Sequence, residues 1–487
     1  MTILQDNWSP DLSGIDEAAQ ALPKYKAIAS AIAQDIGSGV LKPGDRLPPQ
    51  RELAWALNVT VGTVTRAYQE AEQRGLVGGE VGRGTYVRPS AEHNRARTTP
   101  LPSDWFAPMP MSEQEVEDPD APISMQFNFP PGAVGETELR QTLVELSRDP
   151  RVGELLNYYS PSEGGIQAEA GGAWFAMRGL EARPNEVVVS SGAHNAILAT
   201  LAALCPTGGK VATEALVYPG LRVIARMLGL ELVPVKLDEE GLCPDALDEV
   251  LGGGGIHAVY CVPTLQNPTN ATQSLARRRD IARVLERHNV PVVEDDLFGL
   301  LPGDAPPTLT SLIPDLGYCV TSVSKALSPG LRVGFIRCPA RAREQIAAGV
   351  RGSTWMASPL TAEIVCRWIR EGRTEVMLAE RRAIDERRRQ ISLRELDGLD
   401  VDLPKGSLSA WLHLPDPWHA SQFVSAAERD GVVLSAAHAF SIGRSRPPFA
   451  VRVCMGPPRT DERLVEALRR LKRILKEEDP TQSLAVM

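Results

Sequence analysis

A run of prolines cuts this chain into two parts of different character. Prolines stand at positions 89, 100, 102, 108, 110, 119 and 122, around an acidic patch at 113–120, with little apolar periodicity. Proline lacks the backbone N–H and fixes φ, so such a stretch cannot be a helix interior or a central strand. It reads as a semi-extended or mobile linker over 89–122. At 487 residues the chain is also longer than one hydrophobic core organises. The linker therefore separates a short folded part, 22–88, from a long one, 123–475. Residues 1–21 read as a leader and 476–487 as a tail.

Hydrophobic residues make up 43% of the chain and charged ones 23%, which excludes a disordered polyelectrolyte. The net charge of −9 excludes a uniform polycation. Residues 22–90 nevertheless carry nine Lys or Arg against six Asp or Glu, about +3 by difference. That excess leaves room for one nucleic-acid-binding module. The seven cysteines (205, 243, 261, 319, 338, 366, 454) form no Cys-x-x-Cys pair and no zinc spacing, so no disulfide framework and no metal site is expected. No Lys or Arg precedes Lys24, no signal-type apolar core is present, and no run is long enough to span a bilayer. A cytoplasmic protein without a membrane partner is the expectation.

In the short part, Tyr25, Ile28, Ile32 and Ile36 share one face of a helix that stops at Gly37-Ser38-Gly39. Lys42-Pro43-Gly44-Asp45 is a turn. A second helix is expected over 50–57, with Asn58 in the left-handed terminal position. Thr60 is a plausible N-cap for a third helix ending before Gly75. Short strands at 76–77 and 86–87 flank a glycine-rich tip. In a helix-turn-helix the second helix of the motif meets base edges with its first turns. Val64, Ala67 and Tyr68 can face the core, which turns Thr60, Gly62, Thr63 and Arg66 outward toward DNA. Arg51 and Arg83 are placed to meet phosphates or the minor groove.

This segment resembles the GntR-family winged helix. The resemblance is carried by Lys42-Pro43-Gly44-Asp45-Arg46-Leu47-Pro48, Arg51-Glu52-Leu53-Ala54, Thr63-Val64-Thr65-Arg66-Ala67-Tyr68 and Gly82-Arg83-Gly84-Thr85-Tyr86-Val87. It implies a double-stranded DNA operator as partner. One departure is Val61, where the family often carries arginine.

The long part alternates apolar strand-like runs at 187–189, 211–212, 258–262 and 292–293 with helical patterns. That alternation implies an α/β domain with a largely parallel, helix-covered sheet. From about 352 to 475 it becomes a smaller α+β subdomain: a polar arginine-rich helix at 380–389, strands at 408–414, 432–434 and 451–454, and a last helix at 461–476. The interleaved acids Glu380, Asp385 and Glu386 mark Arg387-Arg388-Arg389 as a solvated helix face.

Four features of this part match the needs of pyridoxal phosphate chemistry. Lys325, flanked by the small residues Ser322, Ser324 and Ser328, can form an imine with an aldehyde. Asp295 ends a strand, where it can keep a pyridine nitrogen protonated. Arg332 can return to a phosphate. Ser191-Gly192-Ala193-His194-Asn195 joins a strand to a helix, so its amides can cup the same dianion.

These residues resemble fold-type I aminotransferases of class I/II, over about 123–475. The resemblance implies pyridoxal 5′-phosphate as cofactor. Under it, Asn267 bonds the ring hydroxyl, Tyr218 stacks on the ring, and Arg452 grips the carboxylate of a substrate or effector. Tyr159 reaches the phosphate of a partner subunit, so a homodimer is implied. There are departures here too. Phe298 stands where the family has tyrosine, Asn270 where it has glycine, and Ala437-His438-Ala439-Phe440 where it has Pro-Gly. Gly165-Ile166-Gln167-Ala168-Glu169 lacks the usual Leu-Arg.

End to end, the chain resembles the MocR-type regulators of the GntR family. The resemblance implies a multidomain fold: an N-terminal winged helix-turn-helix plus a fold-type I domain. The function it implies is a transcriptional regulator that senses an amino compound or pyridoxal phosphate. The competing expectation is a working aminotransferase with an accessory DNA-binding domain. The apolar Phe298 and the altered substrate loops weigh against rapid turnover.

Overall fold

A computed structural model describes residues 24–37, 40–41, 45–57, 59–73, 76–80, 84–87, 121–132, 134–160, 165–443 and 447–477. The expected leader, the turn at Lys42-Pro43-Gly44, Asn58, Arg83 and nearly all of the linker lie outside them. The chain forms two compact units, 1–107 and 108–487.

In the first unit the helices are Lys24–Gly37, Gln50–Ala56 and Val61–Gln73. Ile28 and Ile32 are fully buried, with Tyr25 and Ile36 packed at the edge, so the three- and four-residue spacing does bury one face. Leu53, Val64, Ala67, Tyr68, Val77 and Val87 are among the other members of this core. Each large apolar side chain buried there contributes roughly 1.5–3 kcal/mol. The Tyr68 hydroxyl donates to the Pro48 carbonyl at 2.7 Å, which satisfies the one polar atom this ring buries. Strands Val77–Glu80 and Gly84–Val87 pair antiparallel, Val77 opposite Val87. They begin one residue later than expected on one side and two earlier on the other, because cross-strand pairing carries the ladder into the glycine-rich tip.

The second unit holds a seven-stranded sheet. Its order in space is Val187–Ser190, Gly334–Arg337, Gly317–Ser322, Val292–Asp295, Ile256–Cys261, Lys210–Glu214 and Glu231–Val235. All neighbours are parallel except Gly334–Arg337, which runs antiparallel to both of its own. The sheet is thus mixed rather than uniformly parallel. In four of these strands every residue is buried, as expected where helices cover both faces. Helix Leu275–His288 shows how local chemistry sets the boundaries. Ser274 accepts from the Arg277 amide at 3.2 Å, and Asn289 ends the helix at φ 52°.

A second core surrounds the antiparallel strands Val401–Asp402, Ser409–His413, Ala450–Cys454 and Ser435–Ala436. Ile123–Ser124 pairs with Val432–Val433, and Ile123 and Met125 enter this core. Helix Pro359–Arg370 instead buries Ile364, Val365 and Trp368 in the larger core. The smaller subdomain therefore recruits the first strand of the unit and starts later than residue 352.

The long helix runs from Arg373 to Glu395 and corrects one expectation. Its arginines are not all a solvated face. Arg381 and Arg388 are buried, at 0% and 3% exposure. Arg381 pairs with Asp385 at 3.0 Å and donates to the carbonyls of Pro131 and Gly132. Arg388 donates to the carbonyls of Met455 at 2.7 Å and Pro458 at 2.6 Å. Irregular backbone packed against the helix leaves carbonyls that need donors, and guanidinium groups reach several at once.

Candidate functional site

Three strand ends converge on one crevice. Val187–Ser190 leads through Gly192 into helix Ala193–Leu204. Gly192 has φ 86°, and a Cβ there would lie 2.6 Å from Arg332 Nη2. Only glycine combines that conformation with that approach. Arg332, itself at φ 52°, donates to Ser324 Oγ at 3.4 Å and to the Ser191 carbonyl at 3.3 Å. The Asn195 side chain accepts from the Ser191 amide at 3.1 Å and fixes the turn. A helix N-terminus, a guanidinium and a serine hydroxyl thus share one cradle that a methyl group would fill. That donor set fits a phosphate dianion, as pyridoxal phosphate requires.

Lys325 lies on the one-turn helix Val323–Ala326 rather than in a loop. Ser322 caps this helix by accepting from the Ser324 amide at 3.3 Å. Lys325 Nζ donates to the Asn128 carbonyl and sits 5.9 Å from the Phe129 ring centre. Burial lowers its ammonium from the usual 10.5 to about 8. Asp295 ends its strand and is pushed up by burial to about 6. Two donors hold it from rising further: Tyr260 Oη at 2.7 Å and the Leu297 amide at 3.2 Å. Sequence reading missed Tyr260. Within strand Ile256–Cys261 it reads as one more core aromatic, and only the parallel pairing with Val292–Asp295 sets it beside the acid.

Tyr218 Oη lies 3.5 Å from His194 Nδ1, with the rings perpendicular. Burial raises the Tyr218 phenol and lowers His194, the latter with help from the Arg332 charge. Asn267 Oδ1 accepts from Arg452 Nη1 at 2.7 Å. Arg452 also donates to the Gln126 carbonyl at 2.8 Å and lies over the Phe440 ring at 4.6 Å. Phe298, buried, lines a small cavity with Asn128, Asn267 and Ser407. Asn270 has a physical reason to replace glycine. It adopts φ 65°, which asparagine tolerates, and its amide bonds the carbonyls of Asp402 at 3.0 Å and Ser409 at 2.7 Å.

Tyr159 is not brought to this group within one chain. Its amide donates to Met356 Sδ at 3.4 Å, and its hydroxyl faces the Ala357 backbone without a well-formed hydrogen bond. Its neighbour Tyr158 is 80% exposed and meets the half-exposed Trp355 edge-on. Among the described residues there is no metal-holding group of His, Cys, Asp and Glu, and no helix long and apolar enough to cross a membrane.

In the first unit, Arg51, Thr60, Gly62 and Arg66 are exposed and Thr63 is half-buried. Thr60 Oγ1 accepts from the Thr63 amide at 3.2 Å, the bond of a helix N-cap. Arg83 lies outside the described residues.

Residues 24–87 match the family described as bacterial regulatory proteins, gntR family, and residues 125–471 match aminotransferase class I and II. Over 469 residues the chain is 32% identical to the uncharacterized HTH-type transcriptional regulator YdeF of Bacillus subtilis, covering 96% of this chain and 97% of that one. The chain belongs to the MocR-type group of GntR-family transcriptional regulators. This MocR-type protein is also 26% identical over 432 residues to the vitamin B6 salvage pathway transcriptional repressor PtsJ of Salmonella typhimurium, covering 88% and 93%. Its second unit is similar to the crystal structure of LysN, an alpha-aminoadipate aminotransferase of Thermus thermophilus complexed with N-(5′-phosphopyridoxyl)-L-leucine. There the TM-score is 0.66 and the identity 26%, covering 75% of this chain and 94% of that one. The MocR-type regulator therefore binds DNA through its winged helix, and its second unit has the fold of a pyridoxal-phosphate-dependent class.

Proposed function

We propose that this regulator binds pyridoxal 5′-phosphate at Lys325 and that occupancy of the site, by the cofactor alone or with an amino compound, sets the operator affinity of a homodimer. The observation that carries the reading is geometric: adjacent parallel strands end at the buried acid Asp295 and just before the half-buried Lys325, which places the two within electrostatic reach. The Gly192–Arg332 cradle lies on the same crevice. Bound there, the cofactor supplies an electrophilic carbonyl and an electron-accepting ring. Lys325 offers its amine, and Asp295 holds a proton on the ring nitrogen. Arg332, Ser322, Ser324 and the Gly192, Ala193 and His194 amides take the phosphate. Tyr218 covers the ring and Asn267 meets its hydroxyl. Arg452 exchanges its bond to the Gln126 carbonyl for an effector carboxylate. Tyr159 completes the phosphate site of a second subunit. The likeness to a repressor of vitamin B6 salvage and to an aminotransferase that holds a phosphopyridoxyl group supports this reading.

The operator duplex, followed by anisotropy, tests the reading: added pyridoxal phosphate changes its affinity. Indifference to the cofactor overturns it. Arg51→Ala is expected to weaken DNA binding and to reduce the slope of log affinity against log salt by about one, since a phosphate contact releases about one counterion. Arg66→Ala costs affinity for the preferred sequence more than for random DNA. Wild-type behaviour of both variants at several salt concentrations would overturn the proposed docking face.

The intact Lys325, Asp295, Asn267 and Arg452 favour a second reading, a working aminotransferase. Rapid multiple-turnover amino transfer from any amino acid would decide for it. Against it stands Phe298, which brings no hydroxyl to the ring oxygen.

A further inference from the structure

The first turn of helix Val61–Gln73 carries an unusual surface for a helix that reads DNA. Val61, its first residue, is apolar and 43% exposed, whereas Val64, three residues on, is fully buried. Gly62 adds no side chain, and a Cβ there would meet only Thr60 Oγ1 at 3.9 Å, so the space in front of it is open. The hydroxyls of Thr60 and Thr63 bond each other at 2.8 Å. The Thr65 hydroxyl donates to Gln50 Oε1 at 2.7 Å and lies 3.0 Å from the Val61 carbonyl. These bonds occupy the three hydroxyls in part, and each of these threonines also carries a methyl group. The first cation along this helix is Arg66.

Guanine is read by a two-pronged cation and adenine by an amide, and residues 60–63 offer neither; a threonine hydroxyl can bond several bases and so singles out none of them. The base-edge feature that an apolar side chain can contact is the C5-methyl of thymine. We propose that this regulator reads thymine methyl groups in the major groove through the first turn of helix Val61–Gln73, with Val61 as the determining side chain. The proposal rests on the DNA-binding role of the winged helix and names what that face recognises. It also gives Val61 a positive task at the position where the family often carries arginine. The open space over Gly62 lets the helix approach closely enough for methyl–methyl contact.

The test uses the full-length protein. Preferred duplexes are selected from a randomised library, and each thymine of the selected site is then replaced in turn by deoxyuridine, which lacks only the methyl. The expected result is a loss of about fourfold in affinity at one or more thymines, the worth of one buried methyl group. In Val61→Ser that penalty disappears while melting behaviour stays unchanged, because the side chain is exposed. Val61→Arg shifts the selected base at the same position toward guanine. Indifference of the wild type to every deoxyuridine substitution overturns the proposal, as does a Val61→Ser protein that keeps the penalty. Enrichment of no sequence at all would overturn the DNA-reading role as well, which separates the two failures.

Discussion

Lys325→Ala is expected to abolish covalent capture of pyridoxal phosphate. The wild-type protein gains a protein-bound absorbance band on adding the cofactor, and borohydride fixes it to the chain; the variant does neither. Only a neutral amine attacks a carbonyl. With its ammonium lowered from 10.5 to about 8, Lys325 is about 10% neutral at pH 7, against roughly 0.03% for an ordinary lysine. The capture rate should therefore climb with pH and level off above about 8, where an exposed lysine would still be gaining. Stopped-flow absorbance between pH 6 and pH 10 reads this directly. A rate that keeps rising past pH 10, or a band that survives in Lys325→Ala, would remove Lys325 from the role.

Arg381→Met should have the largest effect on stability. The guanidinium is fully buried, paired with Asp385 and bonded to two carbonyls. Its removal takes the ion-pair partner from a buried acid and leaves only the more weakly acting Arg388 near it, which costs about 3–5 kcal/mol. Burial already pushes Asp385 up to about 7, and losing the Arg381 charge pushes it higher. The folded variant then binds a proton that the unfolded chain releases above about pH 4. Its stability rises as the pH falls toward that value, so the penalty is smaller at pH 5 than at pH 8. Urea unfolding at both pH values measures it. Adding Asp385→Leu should recover part of the loss at pH 8, because an apolar pair avoids the buried charge altogether. A loss that is independent of pH would mean that the carbonyl bonds, and not the ion pair, dominate.

What the sequence made legible was local. The three- and four-residue steps between Tyr25, Ile28, Ile32 and Ile36 foretold a buried helix face, and Thr60 foretold a cap. The strand-end position of Asp295 was legible too, because it depends on short-range order, and Lys325 follows the next strand in a one-turn helix where a loop was expected. What stayed hidden depended on contacts across the fold. Tyr260 reaches Asp295 only through strand pairing. Arg388 is buried only because the turn at Met455 and Pro458 needs a donor. The acids between the arginines suggested water on that helix face, and tertiary packing overrode the charge pattern. Strand Gly334–Arg337 runs antiparallel because it follows a short helix and a tight turn instead of a full crossover, and length alone did not show that.

If the pyridoxal phosphate site and the DNA-binding face belong to one switch, the cofactor must change DNA binding. Operator affinity of the full-length protein, measured with and without pyridoxal phosphate for the wild type and for Lys325→Ala side by side, tests this. The cofactor is expected to shift wild-type affinity by about fivefold or more, the scale of a modest coupling free energy, and to leave Lys325→Ala unmoved. A wild-type protein that takes up the cofactor at Lys325 and binds its operator with unchanged affinity would contradict it.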